Sequence, residues 1–275
     1  MSVLLQVSDP HFGTERPAVV EALVRFAAAQ RPDAVVLSGD ITQRAQADEF
    51  RAARAFADRL GAPVLTIPGN HDIPLLALGA RLFDPHGRQR AAFARELEPS
   101  FDSPEWLVLC VNTTRAWRHK NGEVSAAQVE RIAARLEQAR RGPHGASQLR
   151  VVVVHQPIEV IRDDDVHDRL RGHRRALVRW AAAGADIVMG GHIHLPYVIA
   201  LREALARPLW VVQAGTAVSS RVRDGVPNSV NVVRRAAGAA GGQCAVEQWD
   251  FAAATGTFEC ARVTEIAPGR DADGR

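Results

Sequence analysis

The chain has few cysteines, no long apolar run and little excess charge. Its 275 residues include three cysteines, Cys110, Cys244 and Cys260, none of which is spaced as a Cys-x-x-C pair. This scarcity favours structural roles for all three thiols and a reducing compartment. No apolar stretch approaches the ~20 residues that a membrane-spanning helix needs. The sequence therefore predicts no membrane partner.

Charge is close to balanced, with 34 basic and 31 acidic residues and a net charge of +3. Many arginines fall in helix-like runs at 51–59, 131–141 and 169–179, a pattern typical of solvated helix faces. This balance does not by itself indicate nucleic-acid binding, and nucleic acid is not predicted as a partner. No signal-peptide pattern precedes the strand-like run Val3 to Val7. We predict a cytoplasmic protein that acts on a small molecule, and the sequence is compatible with a homodimer.

Short apolar runs alternate with helical patterns through the first two-thirds of the chain, which predicts an α/β fold. The predicted strands are Val3–Val7, Ala34–Leu37, Val64–Ile67, Leu107–Asn112, Leu149–Val154 and Ile187–Met189. The predicted helices are Ala18–Gln30, Glu49–Leu60, Ser125–Arg141 and Arg174–Ala183. Ser125 is a suitable N-cap for the third of these helices.

The last third of the chain has a different pattern. Runs at Ser229–Val233, Gln243–Phe251 and Gly256–Val263 predict antiparallel strands that complete a second sheet. Residues 1–266 are therefore interpreted as one domain, followed by a disordered tail at 267–275. Residues 73–105 are irregular apart from a helical pattern at Gln89–Leu97, and they form either a rim or lid over the site or an ordinary packed helix and loop.

Five short segments rich in metal-ligand residues follow predicted strands. They are Asp9-Pro10-His11, Gly39-Asp40, Gly69-Asn70-His71-Asp72, His155, and Gly190-Gly191-His192-Ile193-His194. Open α/β sheets bind ligands outside the carboxyl ends of their strands, so these residues are expected to converge. Their oxygen and nitrogen donors are enough for two metal ions, which points to metal-assisted hydrolysis, most plausibly of a phosphate ester.

Each segment taken alone is a weak indication. A single histidine after a buried strand is more often a satisfied core residue than a metal ligand. The segment Gly69 to Asp72 is more specific, because three consecutive polar side chains cannot all be buried without partners. The order of the five segments and their shared position at strand ends make independent accidents improbable.

This arrangement closely resembles the calcineurin-like metallophosphoesterase superfamily, whose pattern is Asp-x-His, Gly-Asp, Gly-Asn-His-Asp/Glu, His and Gly-His-x-His. The resemblance implies a four-layer αββα sandwich, in which helices flank two mixed sheets. It also implies two ligand sets that share Asp40. The first ion would be held by Asp9, His11, Asp40 and His194, and the second by Asp40, Asn70, His155 and His192.

The same resemblance implies the chemistry. A hydroxide bridging the two ions would attack phosphorus, with Asn70 and His71 contacting the substrate. His71 would face the leaving oxygen as a general acid or hydrogen-bond donor, and Asp72 would orient or charge it. Imidazole and carboxylate ligands suit Mn, Fe, Zn or Co, and five histidines argue against a pure Mg or Ca site.

Further segments resemble a bacterial group that includes class III cyclic-nucleotide phosphodiesterases. They are Asn112 to Arg115, Gly215 to Arg221 and Pro227 to Asn231. Within them Arg221, Asn228 and Asn231 either contact substrate or fix the loop that carries His192 and His194. The resemblance predicts a phosphodiesterase for cyclic nucleotides or similar small diesters.

Three alternatives stay open. A nuclease of the same superfamily usually has a separate capping domain, and this chain has no basic stretch interleaved with aromatic residues for stacking single strands. A phosphomonoesterase would share the same ligand set. A non-catalytic interaction scaffold is the weakest alternative, because such relatives lose ligands or the equivalent of His71.

Overall fold

The computed structural model describes residues 1–75, 77–118, 120–203, 205–236 and 243–269. The strands in these ranges are β1 (Ser2–Val7), β2 (Ala34–Ser38), β3 (Val64–Ile67), β4 (Ser100–Asp102), β5 (Trp106–Cys110), β6 (Leu149–Val153), β7 (Ile187–Gly190), β8 (Tyr197–Leu201), β9 (Leu209–Gln213), β10 (Ser229–Arg235), β11 (Cys244–Ala252) and β12 (Thr257–Ile266). The α-helices are α1 (Pro17–Gln30), α2 (Ala47–Ala57), α3 (Leu78–Phe83), α4 (Gly87–Ala92), α5 (Ala126–Arg141) and α6 (His173–Ala183). Two 3₁₀ helices span Asn70–Asp72 and Asp163–Asp168.

The strands form two six-stranded mixed sheets. The first has the order β12-β11-β10-β1-β2-β3, and the second has the order β4-β5-β6-β7-β9-β8. Strands β1, β2 and β3 are parallel, as are β5, β6, β7 and β9. The parallel strands of each sheet therefore end at a common edge, where loops from several parts of the chain meet.

Alternation of apolar side chains along the strands builds the layers. In β1, Leu4 packs between the two sheets, whereas Val3, Leu5 and Val7 face the cluster that includes the apolar side of α1. A third cluster joins the other face of the second sheet to α5 and α6. The resulting order is helices, sheet, sheet, helices, which confirms the predicted αββα sandwich.

Helix α5 shows how a local signal sets an element boundary. Ser125 caps the helix as predicted, because its side chain accepts a hydrogen bond from the backbone N–H of Gln128. The Gln128 side chain in turn accepts the backbone N–H of Ser125. The helix then buries one apolar side, including Val129, Ile132 and Leu136, against the second sheet.

The structure differs from the sequence prediction in several elements. Strands β10 to β12 join β1 and extend the first sheet, whereas the prediction had them complete a second one. Strands β4, β8 and β9 were not predicted. The predicted helix Gln89–Leu97 is wrong, because α4 ends at Ala92 and Phe93 packs beside the apolar cluster of α1 and α2. Cys260 is exposed on β12, so only Cys110 and Cys244 are buried thiols.

Residues 73–105 contain α3, which has no buried side chain, and α4. Their role as a rim or lid stays a prediction. Within the predicted tail 267–275, the carbonyl groups of Ala267 and Gly269 accept hydrogen bonds from Trp210 and Arg207, and residues 270–275 lie outside the described ranges. None of the described helices combines the length and apolar character needed to cross a membrane.

Candidate metal centre

The seven predicted ligands lie in loops at the carboxyl ends of five strands. Asp9 and His11 follow β1, Asp40 follows β2, and Asn70 follows β3. In the second sheet, His155 follows β6, and His192 and His194 follow β7. Three groups of donor atoms converge there, and within each group all atoms lie within 4.8 Å of one another. The groups are Asp9, His11 and His194; His11, Asp40 and His71; and Asp40, His155 and His192.

Asp40 lies between two sets of imidazoles. Its Oδ2 is 3.7 Å from Nε2 of His11, and its Oδ1 is 3.3 Å from Nε2 of His155. The Oδ1 atom of Asn70 lies 3.3 Å from the same His155 nitrogen. On the other side, the Nε2 atoms of His11 and His194 are 3.2 Å apart. The two carboxylate oxygens of Asp40 therefore face different donor sets, as a shared ligand requires.

Backbone carbonyl groups orient two of the imidazoles. Nδ1 of His155 is 2.9 Å from the carbonyl oxygen of Ser38, and Nδ1 of His194 is 2.6 Å from that of Arg221. Because a carbonyl only accepts, each Nδ1 carries a proton, and in the neutral form of each ring Nε2 keeps its lone pair for a ligand. Nδ1 of His192 is buried and has no hydrogen-bond partner among the described residues. A metal ion would satisfy that nitrogen, so the donor set fits one.

The ligand loops adopt unusual backbone conformations. Seven described non-glycine residues have positive φ, and five of them are predicted ligands: Asp9 (49°), His11 (43°), Asp40 (47°), His192 (75°) and His194 (54°). Left-handed backbone is uncommon for such residues and costs free energy. Its concentration here indicates that the fold holds the ligands in place against local preference.

Two glycines permit the loops to approach each other closely. A Cβ atom on Gly69 would collide with the backbone nitrogen and side chain of Asp40. A Cβ atom on Gly191 would collide with the side chains of Ser8 and Asp9. Glycine at these two positions therefore allows Asp9 and Asp40 to reach the centre of the site.

Mutual electrostatics among the buried groups favours ionised carboxylates. Burial opposes ionisation of Asp9, but the hydrogen bond and charge of His194 outweigh it and lower the pKa of Asp9 to about 2. Burial likewise opposes ionisation of Asp40, and His155 and His11 hold its pKa well below the usual value. Burial lowers the pKa of His11 to about 3, which leaves a neutral imidazole suited to metal binding. The pKa of His155 is raised to about 9 because the charge of Asp40 overcomes burial.

Asp72 has a different position from the one expected of a residue that orients His71. Its buried carboxylate accepts backbone N–H groups from Ile41, Thr42 and Gly69 at 2.8–3.0 Å, and also the hydroxyl of Thr42. Nδ1 of His71 instead lies 2.8 Å from the carbonyl oxygen of Gln43. Asp72 therefore ties the loops after β2 and β3 together, and the backbone of Gln43 orients His71.

Replacing Asp72 tests this structural role. We expect Asp72→Ala to lower the free energy of unfolding by about 3 kcal/mol, because three buried N–H groups lose their acceptor. Urea denaturation would measure the change. Asp58→Ala is a suitable control, since Asp58 is exposed and pairs only with Arg54 on the same helix. Unchanged stability with lost turnover would instead support a direct role in catalysis.

The residues proposed for substrate contact fall into two groups. The Arg221 guanidinium lies 3.1 Å from Nε2 of His71 and 2.8 Å from Oε1 of Gln43, at the mouth of the site. Asn228 is buried and donates to the carbonyl groups of Thr216 and Ser219. Asn231 is also buried and donates to Gln6 and Gln213. Arg221 is thus available to a ligand, whereas both asparagines fix the backbone.

An acidic residue at the opposite wall of the site was not among the predicted site residues. Asp168, from the second 3₁₀ helix, has Oδ1 3.5 Å from Nε2 of His192 and 2.7 Å from Nζ of Lys120. A carboxylate beside the outer nitrogen of a metal-binding histidine orients the ring. The one available signal was the acidic run Asp163 to Asp165, which does not single out Asp168.

Comparison with known proteins was consistent across sequence and structure. The family model described as calcineurin-like phosphoesterase matches residues 2–196. A cAMP/cGMP dual specificity phosphodiesterase of Mycobacterium tuberculosis is 27% identical over 256 residues, which cover 81% of this chain and 73% of that protein.

Two further proteins are similar in part or in fold. The glycerophosphodiester phosphodiesterase GpdQ of Enterobacter lignolyticus is 51% identical over 43 residues, or 16% of each chain. A dimetal phosphatase from Danio rerio superposes with a TM-score of 0.69 at 12% identity, covering 98% of this chain and 99% of that one. The latter similarity concerns the fold alone.

Proposed function

Because the chain belongs to the calcineurin-like phosphoesterase family and is a metal-dependent phosphoester hydrolase, we propose that its substrates are small phosphodiesters such as cyclic nucleotides. The relative from M. tuberculosis, named for its action on cAMP and cGMP, supports this choice. The partial match to a glycerophosphodiester phosphodiesterase also favours diesters.

Two ions are proposed to occupy the site. Asp9, His11, Asp40 and His194 would hold the first, and Asp40, Asn70, His155 and His192 the second. Support comes from the converging donor atoms, the shared position of Asp40 and the unpartnered Nδ1 of His192. Mixed imidazole and carboxylate ligands favour Mn, Fe, Zn or Co. When bound, such a pair supplies a water molecule of lowered pKa and positive charge for the phosphoryl oxygens.

The protein's own groups would position the substrate and move the proton. Arg221 presents its guanidinium beside His71, where it can bind a phosphoryl oxygen. His71 donates Nδ1–H to Gln43, and its Nε2 faces the site, where it accepts from Arg221. Nε2 would protonate the leaving oxygen only after the imidazole has taken up a second proton and Arg221 has turned to the phosphoryl group. Asp168 and Lys120 form the opposite wall, where the ion pair between them holds Asp168 beside His192.

The proposed preference for diesters rests on the shape of the site. One cavity of about 830 Å³ contains Arg221, Lys120 and much of the proposed ligand set, and a second of about 590 Å³ adjoins it. Asn70 and His71 line both cavities. A phosphorus atom held at the proposed centre would therefore have room for a substituent on each side. A monoester would leave one of these spaces without a substituent.

A substrate panel tests the assignment. We expect the Mn-loaded protein to hydrolyse bis-p-nitrophenyl phosphate, cyclic AMP, cyclic GMP or glycerophosphodiesters with higher kcat/KM than p-nitrophenyl phosphate. Duplex and single-stranded DNA would be included to test the nuclease alternative. A clear preference for the monoester would contradict the diesterase assignment, and cleavage of DNA alone would favour the nuclease.

A further inference from the structure

The second cavity has a composition that the proposed reaction does not by itself require. Its described lining includes His71 but neither Asp168 nor Lys120, and it also includes Ile73, Pro74, Leu75 and Ala77 at the start of the predicted rim. Its volume of about 590 Å³ is within the range of small-molecule pockets. Because His71 is proposed to protonate the leaving oxygen, this cavity would receive the leaving group.

Three arginines, Arg44, Arg81 and Arg88, line this cavity, and none of the described residues that line it is acidic. No carboxylate of a described residue forms an ion pair with any of the three guanidinium groups. Among the described residues, the Arg81 side chain donates only to the carbonyl of Pro74, at 3.4 Å, and Arg88 donates to the carbonyl of Ala45 at 2.6 Å. Glu49 is near Arg44 but accepts its backbone N–H.

What distinguishes the three guanidinium groups is that they line one cavity. Several other surface arginines are paired with carboxylates, as in Arg54 with Asp58, Arg59 with Glu21 and Arg179 with Glu137. Three unmatched guanidinium groups around one cavity repel one another and attract anions. Arg221, at the boundary with the metal-facing cavity, adds a fourth positive group beside His71.

We infer that the cavity binds a second anionic group on the substrate, so that the preferred diesters have a leaving alcohol that itself carries a phosphate or carboxylate. Guanidinium groups bind both anions through paired, charge-assisted hydrogen bonds. The apolar side chains of Ile73, Pro74 and Leu75 would contact the body of the leaving group. The inference rests on the proposed diesterase function, and it sets such substrates above cyclic AMP, which has no second anionic group.

A pair of matched chromogenic esters tests the inference. Methyl 3-carboxy-4-nitrophenyl phosphate and its 3-carboxamide differ in one negative charge on the leaving group, and in both the nitrophenol leaves in preference to methoxide. We expect kcat/KM of the wild-type protein to be about tenfold higher for the carboxylate ester, the scale of one charge-assisted hydrogen bond. A phosphonate at the same ring position distinguishes a phosphorylated alcohol from a hydroxy acid.

Substitution of the cavity arginines tests whether the preference for the carboxylate ester arises in this cavity. Arg44→Gln and Arg81→Gln, singly and together, should reduce the ratio between the two esters stepwise towards one, and Arg81→Lys should retain part of it. Arg51→Gln is the matched control, because Arg51 is exposed on α2 and outside the cavity lining. Thermal melting would verify that each variant is folded.

The outcomes distinguish failure of the anion site from failure of the diesterase assignment. If the wild-type protein hydrolyses both esters equally and the variants keep that ratio, the anion site is wrong and the diesterase assignment stands. If neither ester is hydrolysed while p-nitrophenyl phosphate is, the diesterase assignment itself fails. Loss of the preference in Arg51→Gln as well would show a general charge effect and overturn the role of the cavity.

Discussion

Asp40→Ala is expected to remove both metal ions and essentially all activity, a loss of roughly 10³-fold or more in kcat. The carboxylate oxygens of Asp40 face His11 on one side and His155 on the other. Replacing any other proposed ligand would affect one ion first, whereas replacing Asp40 takes a ligand from both. Metal content measured by plasma mass spectrometry, alongside turnover of bis-p-nitrophenyl phosphate, would test this.

Asp58→Ala serves as the control for loss of a carboxylate, because the exposed Asp58 side chain pairs with Arg54 and not with a proposed metal ligand. It should retain full metal content and turnover. Asp40→Ala protein that still binds two ions per chain would show that the carboxylate is not shared. Loss of only one ion would show that Asp40 is a ligand of that ion alone.

His71→Ala is expected to retain both ions and lose about 10²- to 10⁴-fold in kcat, the usual contribution of a positioned general acid. His71 lies within 4.8 Å of donor atoms of His11 and Asp40, but its Nδ1 is bound to Gln43 and its Nε2 lies beside Arg221. The loss should be larger for phenyl esters than for p-nitrophenyl esters, because a poor leaving group depends more on protonation. Measuring kcat over a series of aryl diesters would show this as a steeper dependence on leaving-group pKa.

His144→Ala is a matched control, because the His144 side chain is exposed and only its backbone carbonyl accepts hydrogen bonds from other described residues. It should behave as the wild-type protein does for every ester. A His71→Ala protein that has lost metal would place His71 among the ligands, as its proximity to His11 and Asp40 allows. Equal losses for all leaving groups would exclude proton donation.

Much of the fold followed from local patterns. Short apolar runs located the central strands of both sheets, and helical periodicity located α1, α2, α5 and α6 to within a few residues. Edge strands were harder to predict. Strand β8 pairs only with β9, and most of its residues are half-buried, so it lacks the continuous apolar run of a central strand. The sheet joined by β10 was likewise not readable from the chain, since strand pairing is a long-range choice.

The site shows the same division. The ligand residue types and their positions after strands were present in the sequence, and the structure places them together as expected. The groups that orient them were not identifiable, because the acceptors for His155, His194 and His71 are backbone carbonyl groups of Ser38, Arg221 and Gln43. Every residue has a carbonyl group, so no residue type marks these positions. The partners of Asp72 were not identifiable for a related reason, since they are mainly backbone N–H groups of Ile41, Thr42 and Gly69.

By itself, the sequence determined the chemical inventory: which donors are present, that they follow buried strands, and hence the fold class and the type of reaction. These features are local, because they depend on residue type and on periodicity over a few positions. Only the tertiary structure decided which atoms of Asp40 face which histidines, that Asp72 joins two loops, and that Arg44, Arg81 and Arg88 share one cavity without acidic partners. Those features depend on the packing of segments distant in sequence.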